Sequence, residues 1–344
     1  MHKRQHRVER SYTISIGNLI FQIRNNMLLV QNEAGVLVHT SIAKEELITL
    51  SDFSKKATDI VDPIPGSTLV YQNEEGPQKV SLFLDERNNY LLLINNQVQF
   101  TTDSELVYHE ALVGPAVCSS NSTPSKFLIL GGGDGLAAKQ IFKENSKAEV
   151  TLVDFDKNIT DLFIQDENLK KFNEYSMSKC HIVNEDAFYF VQDHEKKYDI
   201  IICDFPDPDE EIFNKLYSLE FYLNLAPLLN AGGVISVQSG SLGNDSKCFK
   251  CIKKTIETSG FKTTTFNTPS SYGNLVYTIA KLEEIPQPIM EKSNRKYKTI
   301  TQEYFDKAMR TFRPDSYSDA EVEINTVDNF KALEYRLNET KEIE

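Results

Sequence analysis

The residues able to do chemistry gather in a glycine turn and three acidic segments. In Tyr198-Asp-Ile-Ile-Ile-Cys-Asp-Phe-Pro-Asp-Pro-Asp-Glu-Glu211 an apolar run stops at a crowd of carboxylates: Asp204, Asp207, Asp209, Glu210 and Glu211. Their mutual repulsion is costly unless water or a cation relieves it. Pro206 and Pro208 stiffen this loop and set the directions of the flanking acids. In Phe127-Leu-Ile-Leu-Gly-Gly-Gly-Asp-Gly-Leu136 a buried run enters a glycine-rich turn that opens a helix. Glycines permit the tight turn and let a ligand approach the backbone closely.

Further on, the run Glu149-Val-Thr-Leu-Val-Asp-Phe-Asp156 ends in Asp154 and Asp156. An acid at the end of a second strand grips ribose hydroxyls. Asn184-Glu-Asp-Ala-Phe188 sets Asp186 beside Ala187 at the end of a third strand, where an acid can bond an adenine amino group. Together these segments predict an adenosine-type ligand. The turn departs from the GxGxxG dinucleotide pattern: Gly131, Gly133 and Asp134 put a carboxylate where a pyrophosphate would lie. That charge repels phosphate and suits a nucleoside with a positive tail, which points to the S-adenosylmethionine class.

These segments must be positioned by a sheet. From Lys126 onward, buried apolar runs alternate with helical stretches, the pattern of a doubly wound, mostly parallel sheet. Ligands of such sheets collect at the carboxyl ends of the strands. Asp134, Asp204 and Asp207 are therefore expected to converge there. Converging carboxylates without histidine or cysteine ligands suit a hard metal ion or an organic ammonium equally. The last two strands, joined by a turn at Pro269-Ser-Ser-Tyr-Gly273, are expected to form an antiparallel edge.

Upstream, alternating segments over residues 11–40 predict short antiparallel strands, followed by a helical or irregular stretch at 42–60. Lys79–Phe100 reads as a hairpin turning at Glu86-Arg87-Asn88-Asn89, and residues 104–117 as a helix. Past Pro286 the chain is charged and punctuated by proline, with one amphipathic helix expected at 301–312. The predicted division is an N-terminal β-rich extension at 1–64, a β-hairpin domain at 65–117, a catalytic domain at 118–285 and a charged extension at 286–344.

Composition narrows the function classes. The formal net charge of −13 argues against nucleic-acid binding, which needs a basic face. No segment has about 18 uncharged apolar residues, so no membrane span is expected. The basic N-terminus has no apolar stretch behind it, so a secretory signal is not expected either. Five cysteines at irregular spacing favour reduced thiols and a cytoplasmic location. Cys248-Phe-Lys-Cys251 is a lone CxxC on a helical pattern, without a second pair or a histidine pair to complete a metal site.

From about Gln78 to Lys281 the chain resembles the polyamine aminopropyltransferases, the spermidine/spermine synthase family. The matching segments are Pro77-Gln78, Gln97–Phe100, Tyr108-His-Glu110, Gly131–Gly135, Val150–Asp156, Asp186–Phe188, Asp204–Pro208, Leu216–Tyr222 and Gly232–Gln238. The resemblance implies a Rossmann-like α/β fold of the class I methyltransferase type, preceded by small antiparallel β regions. It implies transfer of the propylamine group of decarboxylated S-adenosylmethionine to a polyamine, with release of methylthioadenosine. Putrescine is the expected acceptor and spermidine the alternative. No metal and no cofactor beyond this co-substrate is implied, and the partners are a small amine and a second copy of the chain, in a homodimer or homotetramer.

The roles carry over residue by residue. Gln78, Gln99, His109, Gly131, Gly133, Asp134, Asp154, Asp186 and Ala187 would bind the nucleoside. Asp204 would be the catalytic carboxylate, and Asp207 would hold the far ammonium of the acceptor. Tyr108, Gln238 and Tyr272 would help position the amine. Asp134 would also repel the carboxylate of intact S-adenosylmethionine. The chain departs from the family at Asp154, where glutamate is usual, in the loop Asp209–Asn214, and in the placement of Tyr272. An ordinary methyltransferase on the same sheet is disfavoured by Asp134. A regulatory homologue acting through the two extensions is disfavoured by the full set of acids.

Overall fold

The computed structural model describes the backbone of four strands within residues 12–41, and residues 66–241, 246–270, 273–285, 290, 293, 295–311 and 322–341. Residues 1–65 and 66–344 form two compact units. In the first, β1 (Tyr12–Ile16), β2 (Leu19–Arg24), β3 (Met27–Asn32) and β4 (Gly35–Ser41) pair in sequence order as an antiparallel meander. The stretch predicted to be helical or irregular at 42–60 lies outside the described residues.

The second unit begins with a four-stranded antiparallel sheet: β5 (Thr68–Asn73), β6 (Val80–Leu84), β7 (Tyr90–Ile94) and β8 (Gln97–Thr101). The expected hairpin joins β6 to β7. Its turn is held by Asp85, whose Oδ1 accepts from the amides of Arg87 (2.8 Å) and Asn89 (2.7 Å). A helix then runs from Thr102 to Ser119, longer than the predicted 104–117. Its start is fixed at Thr101, whose amide donates to Ser104 Oγ at 3.2 Å.

The main sheet has seven strands. β9 (Lys126–Gly131), β10 (Glu149–Val153), β11 (His181–Val183), β12 (Tyr198–Asp204) and β13 (Leu229–Ser241) are parallel. β14 (Lys262–Ser270) and β15 (Gly273–Lys281) form an antiparallel hairpin, with β15 against β13 and β14 at the edge. The order is β11-β10-β9-β12-β13-β15-β14. Both faces of the sheet are covered. Phe127 and Ile129 of β9 belong to one buried cluster with Leu112 and Ile141, whereas Leu128 and Leu130 belong to another with Phe221 and Ile252. This two-residue alternation between two cores is what helices on both sides of a sheet require.

The amphipathic helix expected at 301–312 spans Gln302–Thr311. A further helix, Lys331–Lys341, was not predicted; it packs against the helix Lys247–Thr258.

Candidate active site

Strands β9, β10 and β12 end side by side, and the turn after β9 is shaped by what lies next to it. Gly131 pairs with Asp204 across β9 and β12 and has φ of +84°. A Cβ there would stand 2.1 Å from the Asp204 carbonyl oxygen, so only glycine fits. A Cβ on Gly133 would lie 2.7 Å from Asp154 Oδ2. The same closeness lets the Gly133 amide donate to that oxygen at 2.9 Å, while the Asp156 amide donates to Asp154 Oδ1 at 2.8 Å. Asp134 Oδ1 accepts from the Leu136 amide at 2.8 Å, at the start of the helix Leu136–Glu144.

A cavity opens over these strand ends. Its lining includes Gln78, Gln99, Tyr108, His109, Gly131, Gly133, Asp134, Asp154, Asp186, Ala187 and Asp204. Eleven of the sequence-predicted positions are thus brought together. Asp207 and Gln238 lie outside this lining and contact each other, Gln238 Nε2 donating to Asp207 Oδ1 at 3.3 Å. The expected convergence therefore holds for Asp134 and Asp204. It does not extend to Asp207, whose other oxygen is turned to Arg336 Nη2 at 2.8 Å. Tyr272 lies outside the described residues. Asp186 caps the helix Ala187–Asp193 through the Phe188 amide (2.9 Å) and pairs with Lys215.

The electrostatics turn on burial. Tyr108 donates its hydroxyl to Asp204 Oδ1 at 2.7 Å, and His109 Nε2 stands 4.0 Å from Asp204 Oδ2. Burial raises the Asp204 carboxyl above the ordinary range, while His109 and the Tyr108 hydrogen bond hold it back. Burial pushes Asp134 up to about 6, opposed by His109 and reinforced by Asp204. Burial pushes Asp154 up to about 7 against the pull of its two backbone donors. For His109, burial disfavours the imidazolium, but the Glu105 hydrogen bond and the charges of Asp134, Asp204 and Glu105 outweigh it, and its pKa is raised.

Behind His109 lies a buried support that the sequence reading missed. Lys139 Nζ donates to Glu105 Oε1 at 2.8 Å, and Glu105 Oε2 stands 3.4 Å from His109 Nδ1. Although burial pushes the other way, His109 and Lys139 together bring Glu105 down to about 2. Glu105 is four residues before His109 on one helix face, a spacing that was readable. Lys139 sits on an apolar-looking helix face and gave no signal. Glu110 serves the fold: its carboxylate accepts from Arg295 Nη2 (2.6 Å) and from the Thr299 amide (2.7 Å), pinning the later chain.

The apolar wall of the cavity, Leu92, Ile94, Phe155, Ile159, Ile212 and Phe213, was also not singled out beforehand. A flat, partly apolar nucleoside edged by carboxylates matches this lining. None of the five cysteines is in a disulfide, and burial raises the thiols of Cys180 and Cys251 to about 12. Among the described residues no three histidine, cysteine or acidic side chains are grouped to hold a metal ion. Among them, too, no helix is long and apolar enough to cross a membrane.

A family model described as the spermine/spermidine synthase domain matches residues 105–292. The chain belongs to this family. It is 36% identical over 252 residues to the polyamine aminopropyltransferase of Leptospira interrogans, covering 72% of this chain and 50% of that protein. It is 40% identical over 193 residues to polyamine aminopropyltransferase 1 of Streptomyces coelicolor, covering 55% of this chain and 36% of that protein. The chain thus spans half or less of these curated relatives' length. Among solved structures it is similar to a spermidine synthase in complex with the transition-state analogue AdoDATO, with a TM-score of 0.63 and 22% identity over 71% of this chain and 85% of that one. The spermidine synthase of Thermotoga maritima gives a TM-score of 0.61 and 24% identity over 70% and 84%. At these identities the structural likeness establishes the fold, a class I methyltransferase-like sheet with a small antiparallel sheet before it.

Proposed function

We propose that this protein transfers the aminopropyl group of decarboxylated S-adenosylmethionine to an amine acceptor, putrescine first among the candidates, and releases methylthioadenosine. The observation that carries this reading is the set of carboxylates, Asp154 buried and Asp134 and Asp204 half-buried, lining one cavity behind a glycine turn. Such a cavity favours a ligand that is cationic where Asp134 and Asp204 meet. Membership of the family and the names of the relatives support the same chemistry.

In this reading Asp154 holds the ribose and Gln78 and Gln99 flank the nucleoside. Asp134 and Asp204 line the same cavity, and in this reading they flank the aminopropyl arm. The amine nitrogen attacks the carbon beside the sulfonium; the new N–C bond forms as the C–S bond breaks and methylthioadenosine leaves with the electron pair. The nitrogen must lose a proton, and Asp204 accepts it. Burial equips Asp204 for this by raising its carboxyl, while Tyr108 donates to Oδ1 and fixes its direction. The sulfonium is already an activated leaving group, so the main contributions of the protein are charge compensation and alignment of two mutually repelling cations. Five cysteines outside any disulfide suit a reducing compartment, and we propose the cytoplasm on that ground.

The test is a panel of putrescine, spermidine and other amines given to the purified protein with decarboxylated S-adenosylmethionine. Release of methylthioadenosine with at least one amine is expected. No release with any amine, from folded protein that binds the nucleoside, overturns the reading.

A further inference from the structure

Asp207 already has a resident cation. Arg336 Nη2 stands 2.8 Å from Asp207 Oδ2, and Arg336 Nη1 reaches Ser241 Oγ at 3.5 Å. Both partners of the pair are mostly buried, with 23% and 17% of their side-chain surfaces exposed. Arg336 lies in the middle of the helix Lys331–Lys341, which is fastened to the catalytic unit by buried polar contacts. Asn325 is fully buried: its amide donates to Thr255 Oγ1 at 2.8 Å, its Nδ2 donates to the Asn214 carbonyl at 3.0 Å, and its Oδ1 accepts from the Ala332 amide at 3.0 Å. Asn214 Oδ1 accepts from the Leu333 amide at 3.1 Å, and Glu339 Oε1 accepts from the Cys248 amide at 3.0 Å. The guanidinium is thus held from both ends of its helix.

Asp207 is three residues past Asp204, on a loop stiffened by Pro206 and Pro208. Three residues span at most about 10 Å. Pro206, between the two acids, lines the cavity, so for an amine with one nitrogen at Asp204 the next carboxylate along this loop is Asp207. A guanidinium and a second ammonium at one carboxylate repel each other, and whichever is absent leaves the acid to the other.

Building on the aminopropyl-transfer reading, we infer that Arg336 is a specificity-determining residue that takes the place of the acceptor's far ammonium at Asp207. A dicationic acceptor then gains little from its second nitrogen, and an acceptor with a single nitrogen is held nearly as well.

Two measurements test this on the full chain saturated with methylthioadenosine. In the unaltered protein, calorimetric titration with butylamine and with putrescine should give dissociation constants within about threefold of each other. Putrescine binding more than about threefold tighter than butylamine overturns the inference, as does an absence of binding by either amine. In Arg336→Gln, which keeps a hydrogen-bonding side chain without the charge, putrescine should bind about five- to tenfold tighter. In Arg336→Lys it should bind as in the parent. Unchanged or weaker putrescine binding in Arg336→Gln overturns the inference, and the first measurement decides alone if that variant does not fold. Failure of the reaction itself reads out separately: no methylthioadenosine from decarboxylated S-adenosylmethionine with any amine sinks aminopropyl transfer, while the binding comparison still decides the place of Arg336.

Discussion

At the strand ends that line the cavity, carboxylates are held by backbone amides a few residues away or on the neighbouring strand. Asp154 accepts from Gly133 and Asp156, and Asp134 accepts from Leu136. At Asp207, the holders are side chains, Gln238 from β13 and Arg336 from the last described helix. The difference is one of charge as well as distance. Backbone donors orient an acid without neutralising it, so Asp134 and Asp154 stay available to a cation. A guanidinium both orients and neutralises. The strand-end acids Asp134 and Asp154 are thus held by backbone donors, whereas Asp207, outside the cavity lining, is paired with a guanidinium.

Substitutions can break or sharpen this contrast. The largest effect is expected at Asp204. Asp204→Asn keeps the shape and removes the proposed proton acceptor, so turnover should fall by about 10³-fold, within the range for general bases. Single-turnover release of methylthioadenosine measures it, and a rate within tenfold of the parent would reject Asp204 as the acceptor. Next comes Gly131→Ala, which drives a Cβ into the Asp204 carbonyl oxygen at a φ of +84°. It should cost about 3 kcal/mol in urea unfolding; a cost below about 1 kcal/mol would show that the turn is not locked to β12.

A smaller effect concerns pH. Asp134 and Asp154 have pKa values raised to about 6 and about 7 from an ordinary 3.8. Between those values the folded, ligand-free chain holds protons that the unfolded chain has released. Their contribution to stability is therefore present below about pH 4 and is lost as pH rises through 6 and 7. Replacing both with Asn should flatten that limb of the stability curve, measured by urea unfolding at pH 5 and pH 7.5. An equal slope in parent and variant would contradict the buried-acid picture.

How much of this was readable without coordinates follows the same division. β9 and its glycine turn and the acids at the ends of β10 and β12 were legible because each signal is local. A buried run, a turn that excludes side chains and an acid at a strand end all lie within a few residues of each other. The helix Lys331–Lys341 was not legible. Its few apolar residues, such as Ala332 and Tyr335, make no strong stripe, and polar contacts from Asn214 and Asn325 hold it in place. The orientation of Asp207 was missed for the same reason, since the residue that turns it comes from that helix. Lys139 was missed because a buried lysine is readable only once its partner, Glu105, is seen across the helix pair.

The central claim is that buried, partly protonated carboxylates make this cavity a receptor for a cationic nucleoside, and proton linkage tests it most directly. Decarboxylated S-adenosylmethionine and neutral methylthioadenosine would each be titrated into the protein at pH 6.5, in buffers of differing ionisation enthalpy. The cation should expel more protons on binding than the neutral nucleoside, because Asp134 ionises to meet the positive charge whereas Asp154 meets the ribose that both ligands carry. Equal proton release by the two ligands, or none by the cation, would contradict the account.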